Sequence, residues 1–214
     1  MGALVYRERP ATGDPEGLLV LHHGRGTSEQ DLLPLADVLD PDRRLHVVTP
    51  RGPLQFPGSP GYHWYAVPRV GYPDPDTFTA SDRALGELHD ELWERTGITP
   101  ERTVLGGFSM GTVMSYALGL GPERPAPAGI LAFSGFIPTL DAWRPDLSRA
   151  GKTRVFIAHG RNDPVIGVEF ARRAREVLQA AGFALDYRES GAAHNIDPPD
   201  LARAMQWLGE VVPR

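Results

Sequence analysis

Five short apolar runs, separated by longer amphipathic stretches, restrict this chain to few architectures. Leu18 to His22, Leu45 to Thr49, Thr103 to Gly107, Gly129 to Phe133 and Arg154 to Ala158 read as strands covered on both faces. Ala3 to Arg7 and Phe183 to Arg188 read as further strands, the first at a sheet edge. Between the runs, apolar residues recur at helical spacing. Leu32, Leu35, Ala36 and Leu39 share one face, and Leu85, Leu88 and Leu92 share another in a helix near Ala80 to Arg95. Ala171, Ala174, Leu178 and Ala181 repeat the pattern, as do Leu201, Met205, Leu208 and Val212. Such alternation implies an α/β fold, a mainly parallel sheet with helices on both faces. The 214 residues, with no internal repeat and no flexible linker, are expected to form a single domain, 1–214.

The absence of cysteine excludes disulfides, thiolate metal sites and a cysteine nucleophile. A formal net charge of −5 and the lack of any dense basic run argue against nucleic acid as a partner. No apolar run is long enough to span a bilayer, and the N-terminus lacks the pattern of a signal peptide. The expectation is a cytoplasmic protein without membrane insertion.

One motif carries chemistry. Gly107-Phe108-Ser109-Met110-Gly111 follows the run Thr103-Val104-Leu105 and precedes helix-compatible Thr112 to Leu120. A Gly-x-Ser-x-Gly between strand and helix makes a sharp turn and holds the serine at its apex in a strained conformation. The hydroxyl then stands beside a helix N-terminus, whose free N–H groups favour an anion. A serine hydroxyl needs a base to become a nucleophile, and imidazole suits neutral pH. Downstream of Ser109 stand His159, at a strand end, and His194, in the small-residue loop Gly191-Ala192-Ala193-His194-Asn195. Loop position favours His194. The base in turn needs a carboxylate to orient it. Asp163, in Gly160-Arg161-Asn162-Asp163-Pro164, directly follows a strong strand, unlike its rivals Asp141 and Asp146. The expected triad is Ser109, Asp163 and His194.

A tetrahedral intermediate requires donors for its oxyanion. The backbone N–H of Met110, after the nucleophile, is one expected donor, and that of Arg25 in His22-His23-Gly24-Arg25-Gly26-Thr27-Ser28 is the other. His22 and His23 read as supports for this loop, since no second cluster with ligand spacing points to a metal. The stretch from Pro50 to Asp76 breaks the periodic pattern and is rich in Pro, Gly and aromatic residues. Long irregular segments in compact domains are often functional. It is expected to wall a substrate pocket, with Phe56, Trp64, Tyr65, Phe136 and Ile137 as candidate lining residues.

On these motifs the chain resembles the phospholipase/carboxylesterase family of α/β hydrolases, which includes acyl-protein thioesterases. The resemblance extends over nearly the whole length. It rests on His23 to Gly26, Pro50 to Pro53, the Ser109 pentapeptide, His159 to Val165, and Gly191 to His194. The order Ser109, Asp163, His194 matches the nucleophile, acid, base order of that fold. The resemblance implies an uncapped minimal α/β hydrolase, monomeric or homodimeric. It would act without cofactor or metal on small-molecule carboxylic esters or thioesters. It also implies the triad and the two oxyanion donors at the same positions. Met110 stands where family thioesterases commonly carry Gln, and Thr112 where they often carry Gly. The expected activity is a serine carboxylesterase for short to medium acyl chains. A thioesterase or lysophospholipase is the alternative, and a hydrolase-fold binding protein without turnover a more distant one.

Overall fold

The computed structural model describes residues 3–212. Among these described residues, seven strands run in chain order: β1 (Tyr6–Arg9), β2 (Gly17–His22), β3 (Leu45–Pro50), β4 (Thr103–Phe108), β5 (Gly129–Phe133), β6 (Arg154–Gly160) and β7 (Leu185–Ser190). They form one sheet in the order β1-β3-β2-β4-β5-β6-β7. Only β1 pairs antiparallel, with Tyr6 opposite Pro50, while the other pairings are parallel. Parallel neighbours need crossovers, and the amphipathic stretches supply them. They are α1 (Leu33–Leu39), α2 (Pro75–Thr96), α3 (Met110–Leu120), α4 (Val168–Ala180) and α5 (Pro198–Val211).

Alternation along each buried strand divides the core. Leu18 and Val20 of β2 face α2 and α3, packing with Phe78, Leu88, Val113 and Met114. Leu19 and Leu21, one residue out of step, face α1 and α5, packing with Ala36, Leu39 and Trp207. Ile130 and Ile157 meet Tyr116 of α3 and the Ala171, Ala174, Leu178 stripe of α4. Helices therefore cover both faces, as the alternation predicts.

Boundaries moved where local signals outrank apolar periodicity. The helix expected from Ala80 begins at Pro75. Asp74 accepts the Thr77 N–H at 3.0 Å, and a proline opens the helix, where its missing N–H is not needed. The edge strand expected over Ala3 to Arg7 is Tyr6–Arg9, set by its register on β3. The strand expected from Phe183 starts at Leu185, because Phe183 turns inward beneath α4.

Candidate active site

All parallel strands point their carboxyl ends to one rim, so the loops after β2, β4, β6 and β7 converge there. At the end of β4 the chain reverses into α3 through Ser109, which has φ 55° and ψ −118°. Glycine flanks the serine for a steric reason. A Cβ on Gly107 would lie 2.4 Å from the Gly111 carbonyl carbon, and one on Gly111 would lie 1.9 Å from the His22 carbonyl oxygen. Strand and helix close to this distance only without side chains. The Ser109 N–H donates to Phe133 O at 2.9 Å, and the Thr112 hydroxyl sits 2.6 and 2.7 Å from the carbonyls of Gly107 and Phe133. Thr112 thus ties the turn to β5.

The structure brings Ser109, His194 and Asp163 together. Ser109 Oγ is 2.9 Å from His194 Nε2, and His194 Nδ1 is 2.6 Å from Asp163 Oδ2. The other carboxylate oxygen of Asp163 accepts the N–H groups of Val165 and Ile166 at 2.8 and 2.9 Å. Burial pushes the Asp163 carboxyl up, but the His194 hydrogen bond and the two N–H groups outweigh it, leaving the group below its ordinary value. An ionised carboxylate at Nδ1 leaves Nε2 free to accept a proton, so the arrangement can take one from the Ser109 hydroxyl. The loops that carry acid and base are themselves tied. The Asn162 N–H donates to Ala192 O at 3.1 Å, and its side-chain amide donates to Gly191 O at 2.9 Å.

The rival residues have other partners. His159 is buried beside the triad, with Nε2 at 2.7 Å from Ile166 O and 3.4 Å from Asp163 Oδ2, and burial, first among its causes, pushes its pKa down. Asp146 caps the short turn at Leu147–Gly151 and pairs with Arg149 at 3.1 Å. Asp141 is exposed, in grooves with Trp143 that do not include Ser109 or His194.

The loop after β2 is built around His23. Its Nδ1 lies 2.7 Å from Gly24 O, and its Nε2 accepts the Gly52 N–H at 2.9 Å. That pair of partners selects the neutral tautomer protonated at Nδ1, and burial favours the same form. The Thr27 hydroxyl also donates to Gly24 O at 3.1 Å. The Gly24 carbonyl shares a peptide plane with the Arg25 N–H, and in a trans peptide the two point opposite ways. Fixing one therefore aims the other. Among the described residues, neither the Arg25 nor the Met110 N–H takes part in the turn and loop hydrogen bonds. His22 lies beneath the loop, with Nδ1 at 2.8 Å from Ser115 Oγ.

A cleft of about 430 Å³ opens over Ser109 and His194, with Tyr65, Val67, Tyr72, Phe136 and Ile166 on its walls. Gly24, Arg25, Met110 and Phe108 complete its floor, and the Phe108 ring lies 4.9 Å from that of His194. Of the candidate lining residues, Tyr65 and Phe136 reach the cleft and three do not. Trp64 is fully buried, its Nε1–H bonded to His23 O at 2.9 Å. Phe56 packs on His63 with ring centres 4.9 Å apart, and Ile137 faces α4. An irregular loop has no period to say which side chains point inward. The residues not foreseen are Val67, Arg69, Val70 and Tyr72 on that segment, with Val165 and Ile166 after Asp163. Tyr72 lay in the aromatic stretch already singled out. Val165 and Ile166 could have been found from their place just after the acid.

The profile of the phospholipase/carboxylesterase family matches residues 9–211. The chain belongs to this family. Acyl-protein thioesterase 1 of Debaryomyces hansenii is 28% identical over 179 residues, covering 80% of this chain and 75% of the thioesterase. The crystal structure of esterase PE8 superimposes with a TM-score of 0.84 at 28% identity, covering 98% of this chain and 100% of that one. The carboxylesterase of Bacillus cereus shares the fold with a TM-score of 0.84, at 23% identity and covering 97% and 94%. This phospholipase/carboxylesterase family member is a serine hydrolase of the α/β-hydrolase fold. Among its described residues no helix is long and apolar enough to cross a membrane.

Proposed function

We propose that the protein is a carboxylesterase that hydrolyses esters of short to medium acyl chains through an acyl-enzyme. The observation carrying this reading is the hydrogen-bonded series Ser109, His194, Asp163 at the foot of a mostly apolar cleft. Ser109 Oγ attacks the ester carbonyl carbon and its proton passes to His194 Nε2, while ionised Asp163 stabilises the imidazolium. The backbone N–H groups of Arg25 and Met110 hold the oxyanion. Collapse expels the alkoxide, which takes the proton from His194. Water then attacks the acyl carbon as His194 takes its proton, and collapse breaks the bond to Ser109 Oγ, which regains the proton from His194 as the acid leaves. The cycle balances with water alone, without cofactor or metal.

Chain length follows from space. The cleft of about 430 Å³ lies toward the low end of the usual ~300–1,000 Å³ for small-ligand sites. A thioesterase reading is favoured by one observation, the acyl-protein thioesterase from Debaryomyces hansenii among the relatives. The deciding experiment is a panel of p-nitrophenyl esters of increasing acyl length beside matched acyl thioesters, with Ser109→Ala run in parallel. The expected result is kcat/KM highest for short to medium oxygen esters and a loss of at least about 10⁴-fold in Ser109→Ala. A steady rise out to long acyl chains would sink the length assignment. Undiminished turnover by Ser109→Ala would remove the nucleophile.

A further inference from the structure

Trp64 was expected on the pocket wall and is instead buried behind both proposed oxyanion donors, in the angle between the end of β2 and the start of α3. Its indole Nε1–H donates to His23 O at 2.9 Å, and its backbone N–H donates to Met110 Sδ at 3.3 Å. One residue thus holds the loop that presents the Arg25 N–H and the side chain of the residue that presents the other N–H. Nothing about the ring is loose. It lies 5.0 Å from the His23 ring and edge-on at 5.7 Å to that of His22, and Ser81 Oγ donates to its carbonyl.

Resting on the proposed esterase mechanism, we infer that Trp64 is a positioning residue that sets the separation of the two oxyanion donors. Each hydrogen bond does a different part. The bond to His23 O holds the segment immediately before the Gly24–Arg25 peptide, whose plane the His23 ring and Thr27 hydroxyl already orient. The bond to Met110 Sδ holds the first residue of α3 from behind, on the side away from the cleft. Met110 Sδ supplies the hydrogen-bond acceptor for the Trp64 N–H. Donors displaced by a fraction of an ångström no longer meet the oxyanion, although they still admit a planar ester.

The test separates transition-state binding from ground-state binding. Trp64→Phe keeps an aromatic ring and removes the indole donor. An alkyl trifluoromethyl ketone, which Ser109 converts to a charged hemiketal, reports on the oxyanion site. The matching methyl ketone, which stays planar, reports on the cleft. The expected result for Trp64→Phe is about a tenfold fall in kcat with KM within twofold. Trifluoromethyl ketone affinity should fall by a similar factor and methyl ketone affinity should hold. A folded Trp64→Phe with both kcat and trifluoromethyl ketone affinity within twofold of wild type overturns the inference. So does an equal weakening of both ketones, which would mean a distorted cleft. Should Trp64→Phe not fold, Met110→Leu decides by the same two ketones, because it removes the sulfur acceptor and keeps an apolar side chain of similar size. There a selective loss supports the clamp, which Met110→Gln should partly restore, and no loss overturns it. Loss of hydrolysis in Ser109→Ala tests the nucleophile itself, so the two readings fail separately.

Discussion

The two ends of α3 meet opposite requirements. At the N-terminal end, Ser109 makes no side-chain cap to the helix, and Met110 borders the cleft with its N–H in none of the turn and loop hydrogen bonds among the described residues. At the C-terminal end the carbonyls are taken up. The buried Arg149 guanidinium donates to Gly119 O at 3.1 Å and Pro125 O at 3.2 Å, and also to Gly121 O and Arg124 O. The Asp146 N–H closes on Leu120 O at 2.7 Å. Every helix leaves unpaired groups at both ends, partially positive at one and negative at the other. Buried carbonyls with no ligand to complete them need a permanent cation. Under the proposed mechanism, free N–H groups at the cleft are instead left for a substrate oxygen that acquires charge during the reaction. The start of α2 shows the alternative at an N-terminus, where the carboxylate of Asp74 closes what Ser109 leaves open.

The sharpest way to break this contrast is at the open end. His194→Ala should lower kcat for a p-nitrophenyl ester by about 10³- to 10⁴-fold while the thermal midpoint stays near wild type. A similar fall in kcat with a lowered midpoint would mean that His194 holds the fold rather than the reaction.

The reverse holds at the closed end. Arg149→Met strands several buried carbonyls and should cost about 3 kcal/mol of stability in urea unfolding. Its kcat, measured where it is folded, should stay within twofold. A large loss of kcat there would show that the two ends are coupled along the helix.

Acid should single out the carboxylates that the fold holds ionised. Glu29 is held at about 2, first by its hydrogen bonds from Arg51 and then, against that, by burial. Asp163 is also depressed below its ordinary value. A depressed carboxylate contributes stability that is fully present above its unfolded pKa and is lost as pH falls toward its folded one. Wild-type stability should therefore decline from roughly pH 4 downward, with Glu29→Gln showing a flatter decline. The destabilisation by Arg149→Met should be the same at pH 7 as at pH 5. The smallest effect belongs to Asp74→Ala, which opens the start of α2. A drop in Tm of under about 4 °C with kcat unchanged is expected by differential scanning calorimetry.

Local rules made much of the molecule legible beforehand. The strand runs were found because each is apolar at consecutive positions, and the turn at Ser109 because only glycine tolerates the approach of β2 to α3. Asp163 and His194 stand after strands, which is where parallel sheets collect loops. The start of α2 is written in Asp74-Pro75, a capping signal that apolar spacing does not carry. The pocket wall is less legible for a deeper reason. Between Pro50 and Asp76 there is no repeating geometry, so identity alone could not separate Tyr65, which lines the cleft, from its neighbour Trp64, which lies behind it.

By itself the sequence determined the mainly parallel α/β sheet and pointed to the three residues that meet at the rim, since these follow from periodicity, glycine sterics and place after strands, while the family came from the resemblance of its motifs. Only the tertiary structure decided which aromatic residues face the cleft, that His23 and Thr27 orient the Gly24–Arg25 peptide, and that Arg149 closes the far end of α3. Those depend on hydrogen bonds between segments far apart in the chain, whose directions are set when the layers pack.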